Sequence, residues 1–280
     1  MRITAAYRIA PEGHSDKMSA PIDADHSLAG SVALVTGSTQ GIGAGIARKF
    51  AEHKARVVIH GLEVEAGKKT AACIQSAGGE AYLVIADLRN ESECRSLVQQ
   101  TIEHWGRLDV LVNNAAVYPR GDIENTSVSL WDEIFSVDLR APFILCQEAV
   151  KHMKASGGSI LNIGSVNAHF GKRNLLAYSA AKGGLTIFTR NLANDLVRYQ
   201  IRVNQINPGW VLTEGENRIQ SAVERRGAKW LDEAVKTRPF GRLLTPDDIA
   251  RMALLFVSDG MITGAIVDYE QVPVGAPPEF

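Results

Sequence analysis

The sequence predicts an α/β fold in which about seven parallel strands form one doubly wound sheet with helices on both faces. Two observations lead to this fold class. Short, nearly continuous apolar segments look like buried strands, and they alternate with segments whose apolar residues recur at helical spacing. Such alternation favours a parallel sheet joined by right-handed crossovers. A ligand of this sheet is expected at the carboxyl ends of its strands.

The strands are predicted in chain order at residues 32–36, 56–60, 81–86, 109–113, 159–163, 202–206 and 265–269. Long helices are predicted at 128–154 and 175–199. Residues 28–271 are expected to form one domain, with an insertion at about 214–240. Residues 1–27 are expected to be a flexible N-terminal extension, and residues 272–280 a C-terminal tail rich in proline.

Composition argues for a small-molecule ligand. The 280 residues carry a net charge of −1 with 22% charged residues, so there is no basic surplus for nucleic acid or a membrane surface. No segment approaches the ~18 apolar residues of a membrane span. The three cysteines are widely spaced, which argues against disulfides and favours a reducing cytoplasm. No metal site is predicted, since His60 and His169 lack partner ligands at useful spacing.

The first predicted strand runs into a glycine-rich turn and then into a helix. The turn contains Gly37, Ser38, Gln40, Gly41, Ile42 and Gly43. Glycines allow a tight turn and let a pyrophosphate approach the backbone, while the free amides at the helix start attract its negative charge. After the first strand of a doubly wound sheet, this pattern indicates a dinucleotide-binding turn.

A second motif combines a strand end with a helix. Tyr178 and Lys182 lie one helical turn apart on the same face, so the ammonium is expected to favour the phenolate and lower the pKa of Tyr178. Ser165 ends the preceding strand and is expected to hydrogen-bond the same substrate oxygen. This combination suits the interconversion of an alcohol and a carbonyl.

Each motif also has a purely structural interpretation. Tyr178 and Lys182 could simply mark the boundary of an amphipathic helix. Asp87, at the end of the third strand, could cap the next helix, and Asn113 with Asn114 could form a strand-terminating turn. The structural and functional interpretations are compatible, because ligand contacts in this fold come largely from strand ends.

Taken together, the motifs resemble those of the short-chain dehydrogenase/reductase family over residues 28–271. They are, in chain order, the turn from Thr36 to Gly43, Asp87-Leu88, Asn113-Asn114-Ala115-Ala116, the set Ser165, Tyr178 and Lys182, Asn207-Pro208-Gly209 with Val211 and Thr213, and residues 239–250. Ala116 stands where the family usually has glycine.

The resemblance implies a Rossmann-type fold and an NAD(P)-dependent oxidoreductase. Tyr178 would exchange a proton with the substrate oxygen, Lys182 would hold the nicotinamide ribose, and Ser165 would orient the carbonyl. Cofactor contacts would come from the glycine turn, from Tyr178 and Lys182, and from Asp87, Leu88, Asn114, Ala115, Ala116, Pro208, Gly209, Val211 and Thr213. The insertion at 214–240 would close over the substrate, and a homotetramer or dimer would be expected.

The choice between NAD and NADP depends on the end of the second strand. Gly61, Leu62 and Glu63 are expected beside the adenosine ribose, and Gly61 stands where NAD-preferring members usually carry aspartate. Gln40 is neutral and no arginine follows the strand. The balance favours NADP, with NAD remaining open if Glu63 reaches the ribose.

The sharpest departure from the family pattern is Asp138, which stands where most members carry an asparagine thought to hold a proton-relaying water. An ionised aspartate could still hold that water. Its charge would keep Lys182 protonated and partly neutralise the effect of Lys182 on Tyr178. Asp138 is therefore included with the catalytic residues.

Two other functions remain open: a non-enzymatic dinucleotide sensor, and a lyase or epimerase with a similar tyrosine–lysine pair. The intact catalytic set argues against a sensor, and the short chain and glycine spacing argue against a lyase or epimerase. The substrate is expected to be a small carbonyl or alcohol of unspecified class. Trp210 and Trp230 are candidates to line its pocket.

Overall fold

The computed structural model describes residues 26–224, 227 and 229–274. Seven parallel strands form its sheet: β1 (Val32–Val35), β2 (Arg56–Gly61), β3 (Glu80–Ile85), β4 (Val110–Asn113), β5 (Gly158–Ile163), β6 (Ile201–Pro208) and β7 (Ile266–Tyr269). Their spatial order is β3-β2-β1-β4-β5-β6-β7. The predicted doubly wound fold and its seven strands are therefore confirmed, with strand limits that differ from the predicted ones by up to two residues.

The described helices are α1 (Gly41–Glu52), α2 (Val64–Ser76), α3 (Glu91–Trp105), α4 (Val128–Phe135), α5 (Ala141–Met153), α6 (Leu176–Leu196), α7 (Glu214–Arg218), α8 (Trp230–Lys236) and α9 (Pro246–Ser258). None of them is both long and apolar enough to cross a membrane. The N-terminal extension lies outside the described residues up to position 25, as does the tail from position 275.

Alternation along the strands divides the core into two apolar layers. Ala33 and Val35 of β1 pack on one face of the sheet with α1 and α9, while Leu34 packs on the other face with α3 and α5. All four residues of β1 are buried, as expected for a central parallel strand covered on both sides. The sheet is thereby fixed between helices, and its carboxyl edge remains open for a ligand.

The long helix predicted at 128–154 is wrong in one respect. A π-helical turn, Ser136–Arg140, separates α4 from α5. Such a turn inserts one extra residue into the helical repeat and commonly occurs at functional sites. Asp138 lies in the middle of this turn and is completely buried. The π-helical turn therefore contains the position at which the family that the sequence resembles usually has asparagine.

Candidate active site

The glycine turn between β1 and α1 lines a large cavity through Gly37, Gln40 and Gly41. Gly37 and Gly41 have φ angles of +62° and +59°, a conformation that favours glycine. A Cβ atom on Gly37 would lie 2.8 Å from the Cα of Ala115. Gln40 makes no side-chain cap to the first amides of α1. The turn therefore fits a pyrophosphate, which needs close backbone approach and free amide donors.

His60 supports this turn from beneath, although the sequence analysis gave it no role. The Gly37 amide donates to His60 Nδ1 at 3.1 Å, and His60 Nε2 lies 3.0 Å from the carbonyl oxygen of Ala86. Since Nδ1 accepts, the ring proton belongs on Nε2. Burial lowers the pKa of His60 to about 4, so the ring is neutral at ordinary pH.

A cavity of about 850 Å³ crosses the carboxyl edge of the sheet. It brings together most of the predicted cofactor residues, namely Gly37, Gln40, Gly41, Ile42, Gly61, Leu62, Glu63, Asp87, Leu88, Asn114, Ala115, Ala116, Tyr178, Lys182, Pro208, Gly209, Val211 and Thr213. Ser38 and Gly43 do not line it. The Ser38 hydroxyl instead donates to the Val35 carbonyl, and Gly43 packs so closely on Gly37 that a Cβ would overlap its oxygen.

Asp87 and Asn114 show how strand ends serve this cavity. Arg89 donates two hydrogen bonds to each carboxylate oxygen of Asp87, and these bonds lower the pKa of that carboxyl group. The N-cap of α3 is Asn90, so the alternative role of Asp87 as a helix cap is wrong. Asn114 donates to the carbonyl oxygens of Thr36 and Gly37 and also lines the cavity. Asn114 therefore both supports the glycine turn and lines the cavity.

Ser165, Tyr178 and Lys182 lie on one wall of the same cavity. Ser165 follows β5, while Tyr178 and Lys182 occupy successive turns of α6. Lys182 is 3% exposed, and its Nζ donates to the Ile163 carbonyl at 3.1 Å. This ammonium lies 5.6 Å from the centre of the Tyr178 ring. One hydroxyl, one phenol and one cation therefore share a wall.

The pKa of Tyr178 differs from the sequence-based expectation. It was expected to be lowered by Lys182, but it is raised, first because the phenol is buried and second because of the negative charge of Asp138. Ser165 and Arg120 act in the opposite direction. Desolvation penalises the phenolate, and helical spacing alone does not reveal how deeply a side chain is buried. The phenol is therefore protonated at neutral pH.

Asp138 contacts both Lys182 and the segment that follows β4. Its Oδ1 accepts a hydrogen bond from the Val117 amide at 2.8 Å, and its Oδ2 lies 3.5 Å from Lys182 Nζ. Within the described residues Oδ2 has no hydrogen-bond partner. Burial raises the pKa of Asp138 to about 6 despite the opposing charge of Lys182. The carboxylate is thus paired with Lys182 through charge at a separation longer than a good hydrogen bond.

Sequence reasoning missed several residues on the substrate side of the cavity. Tyr118 and Arg120 follow β4, and the Tyr118 ring lies 5.9 Å from that of Tyr178, edge to face. Their position just after a strand end was the available signal. Trp210 lines the cavity and donates from Nε1 to Glu216. Trp230 does not line it, because it is buried in a separate cluster with Trp210 and Leu243.

No group of three or more metal-ligating side chains occurs among the residues that the structure describes. The glycine turn, the cavity beside it and the phenol near a buried ammonium would suit a bound dinucleotide next to a group that transfers a proton. These features together are typical of a nicotinamide-dependent oxidoreductase.

Comparison with known proteins identifies the family. Residues 37–270 match a family model described as enoyl-(acyl carrier protein) reductase. A short-chain dehydrogenase/reductase from Serratia marcescens has 31% identity and a TM-score of 0.80, over 88% of this chain and 98% of that one. The chain belongs to the short-chain dehydrogenase/reductase family, and it is an oxidoreductase. The resemblance stated from the sequence is confirmed.

Two further relatives carry more specific names. Trans-4-hydroxycyclohexanecarboxylate dehydrogenase from Sinomonas cyclohexanicum is 35% identical over 246 residues, covering 85% of this chain and 90% of its own. A structure from Beutenbergia cavernae, provisionally assigned as an NAD(P)-dependent gluconate 5-dehydrogenase, holds NADP at low occupancy. It is 32% identical with a TM-score of 0.80, over 88% of this chain and 98% of that one. The family binds NAD(P).

Proposed function

We propose that the protein interconverts a secondary alcohol and a ketone with NAD(P), using Tyr178 as the general acid and base. The observation that carries this proposal is the convergence of Ser165, Tyr178 and Lys182 on one wall of the cavity that begins at the glycine turn. A bound nicotinamide would supply or accept the hydride. The residues of the chain would bind the substrate, orient it and move its proton.

In the reducing direction, the Ser165 hydroxyl donates a hydrogen bond that orients the ketone oxygen. As hydride adds to the carbonyl carbon, the C=O π bond breaks and Tyr178 transfers its proton to the oxygen. Lys182, fixed by the Ile163 carbonyl, stabilises the phenolate that remains and would hold the nicotinamide ribose. Oxidation follows the same path in reverse.

The raised pKa of Tyr178 has a directional consequence. Reduction needs a protonated phenol, which is present at neutral pH. Oxidation needs the phenolate, whose fraction rises with pH. We therefore expect reduction to proceed well near neutrality and oxidation to accelerate toward alkaline pH.

We favour NADP over NAD. A side chain at Gly61 would collide with Thr39, whose Cγ2 would lie 2.5 Å from the added Cβ, so an aspartate is poorly tolerated there. In addition, Arg218 of α7 brings a guanidinium to Gln40, donating to its Oε1 at 3.2 Å. This cation beside the glycine turn supports binding of an additional phosphate. Glu63 remains the residue through which NAD would bind.

The substitution Tyr178→Phe tests the mechanism. It removes only the hydroxyl, so kcat is expected to fall by about 10²- to 10⁴-fold while the Kd for NADPH stays unchanged. The assay follows nicotinamide absorbance with a panel of ketones and with both cofactors, and nucleotide fluorescence measures binding. Near-full activity of the variant would remove Tyr178 from the mechanism. If the wild-type protein bound nucleotide tightly but reduced no ketone, the sensor hypothesis would be favoured.

The wider organisation belongs to the same proposal. We propose one catalytic domain over residues 28–271, with residues 214–240 closing over the substrate. In the described part of that segment, α7 and α8 lie on either side of a π-helical turn, Ile219–Val223. A homotetramer or dimer and a cytoplasmic location remain predictions from the sequence.

A further inference from the structure

The backbone fixes Arg120 next to the helix that carries Tyr178. Gly121, its neighbour, accepts a hydrogen bond from the Leu176 amide at 3.2 Å and donates to the Asn174 carbonyl at 3.0 Å. These two bonds join the loop after β4 to the start of α6. Arg120 therefore enters the cavity one residue from a fixed point, close to the first turn of that helix.

The Arg120 guanidinium is only partly used within the protein. Its side chain is 16% exposed, and its Nε donates to Glu224 Oε1 at 2.8 Å. Asn174 donates to the same carboxylate oxygen at 3.3 Å. Across residues 26–224, 227 and 229–274, no hydrogen bond is made by its two terminal amino groups. That pair of amino groups has the spacing that binds a carboxylate through two parallel hydrogen bonds.

Another cation at the cavity, Arg89, is more fully committed to a carboxylate, because its side chain donates three hydrogen bonds to Asp87. Arg120, in contrast, bonds its carboxylate through one nitrogen. The terminal amino groups of Arg120 are not sealed from the cavity, so they can exchange hydrogen bonds with solvent for hydrogen bonds with a ligand.

Arg120 and Tyr178 line the same cavity, and Tyr118, two residues before Arg120, has its ring centre 5.9 Å from that of Tyr178. A ligand group held by Arg120 would therefore share this cavity with the phenol. The substrate would then be anchored at one end and react at the other. Such two-point binding fixes the distance and orientation of the reacting carbon.

We infer that the substrate is a small keto acid or hydroxy acid whose carboxylate binds the two terminal amino groups of Arg120 while its carbonyl or alcohol carbon faces Tyr178. This inference rests on the proposed function and specifies the substrate class of the same site. Glu224 holds the guanidinium in place by occupying its Nε edge. Uncharged ketones of the same shape would bind more weakly.

A competing explanation makes the Arg120–Glu224 pair only a tether between the loop after β4 and the segment that follows α7. Two variants separate the explanations. Arg120→Met keeps most of the aliphatic stem and removes the charge, whereas Glu224→Gln breaks the ion pair and leaves the guanidinium. If the pair is only a tether, both variants should have similar effects on every substrate.

The experiment compares ketones as free acids and as methyl esters: acetoacetate, levulinate and 4-oxocyclohexanecarboxylate. We expect the wild-type protein to have a higher kcat/KM for acids than for esters. Arg120→Met should lower kcat/KM for the acids by about 10- to 100-fold, mainly through KM, with little change for the esters. Arg120→Lys should retain part of the preference, and Glu224→Gln should preserve or increase it. Thermal unfolding checks that each variant is folded.

A binding assay separates this inference from the proposed reaction. Calorimetry with NADP⁺ present measures binding of unreactive cyclohexanecarboxylate and of its neutral carboxamide. Binding of the acid that is lost in Arg120→Met would support the inference even if no ketone were reduced. Three results would overturn the inference. They are an equal kcat/KM for acids and esters in the wild-type protein, equal losses of kcat/KM for both in Arg120→Met, and the same loss in Glu224→Gln. Absence of both binding and turnover would count against the inference and the proposed function together.

Discussion

Replacing Asp138 with asparagine removes a buried negative charge beside Tyr178 and Lys182 and preserves the shape of the side chain. The amide oxygen can still accept the hydrogen bond that the Val117 amide now donates to Asp138. The substitution Asp138→Asn therefore changes chiefly the charge that acts on Tyr178 and Lys182.

The structure sets the size of this effect. Lys182 Nζ lies 3.5 Å from Asp138 Oδ2 and 5.6 Å from the centre of the Tyr178 ring, so the carboxylate is within about 9 Å of that centre. At an effective dielectric constant of about 20, two unit charges at this separation interact by about 1.8 kcal/mol. That energy equals about 1.3 pKa units. Partial neutralisation by Lys182 reduces the expected decrease in the pKa of Tyr178 to about one unit.

The assay is the pH dependence of kcat/KM for ketone reduction at saturating NADPH. Reduction slows as the pH rises through the pKa of Tyr178, because the phenol loses the proton that it must donate. The basic limb should therefore lie about one pH unit higher in the wild-type protein than in Asp138→Asn. Near and below neutral pH both proteins keep the phenol protonated, so the two profiles should coincide there.

Circular dichroism and the Kd for NADPH serve as controls for folding and cofactor binding. Superimposable profiles would refute the reasoning, because they would show that the Asp138 carboxylate is not coupled to Tyr178. An inactive wild-type protein restored by Asp138→Asn would instead favour a dinucleotide-binding protein without catalytic function.

Two further predictions concern the glycine turn. Gly37→Ala places a Cβ 2.8 Å from the Cα of Ala115, at a φ of +62°. Nucleotide affinity, measured by fluorescence titration, should therefore fall at least tenfold. In the control Gly171→Ala the added Cβ meets no atom within 4 Å, so affinity should stay unchanged. His60 has a folded pKa of about 4, so the unfolded chain binds its proton first and stability should fall by about 3 kcal/mol as the pH drops from about 6.5 to 4. His60→Asn should flatten that part of the pH dependence in urea titrations, and an unchanged slope would contradict this role.

Local sequence patterns predicted the elements that carry the site. Continuous apolar segments located all seven strands, since a central parallel strand such as β1 is buried on both faces. The i, i+4 spacing placed Tyr178 and Lys182 on successive turns of one helix, as the structure has them. These features are local, because period and turn chemistry depend only on neighbours along the chain.

Other properties of the site depend on contacts between distant segments. The contacts of Asp138 with Val117 and Lys182, and the support of Gly37 by His60, join residues far apart in sequence. The same holds for the partnership of Arg120 with Glu224, whose positions differ by 104. No periodic pattern in the sequence encodes such pairs.

The sequence by itself determined the sheet, the order in which the motifs follow its strands along the chain, and the residue types available for proton transfer. Only the tertiary structure decided the electrostatics that govern their chemistry. A phenol beside a lysine was expected to have a lowered pKa, but burial and Asp138 raise the pKa of Tyr178. The physical reason is that desolvation and Coulomb interactions depend on depth and distance in three dimensions, whereas periodicity reports only which face of a helix a residue occupies.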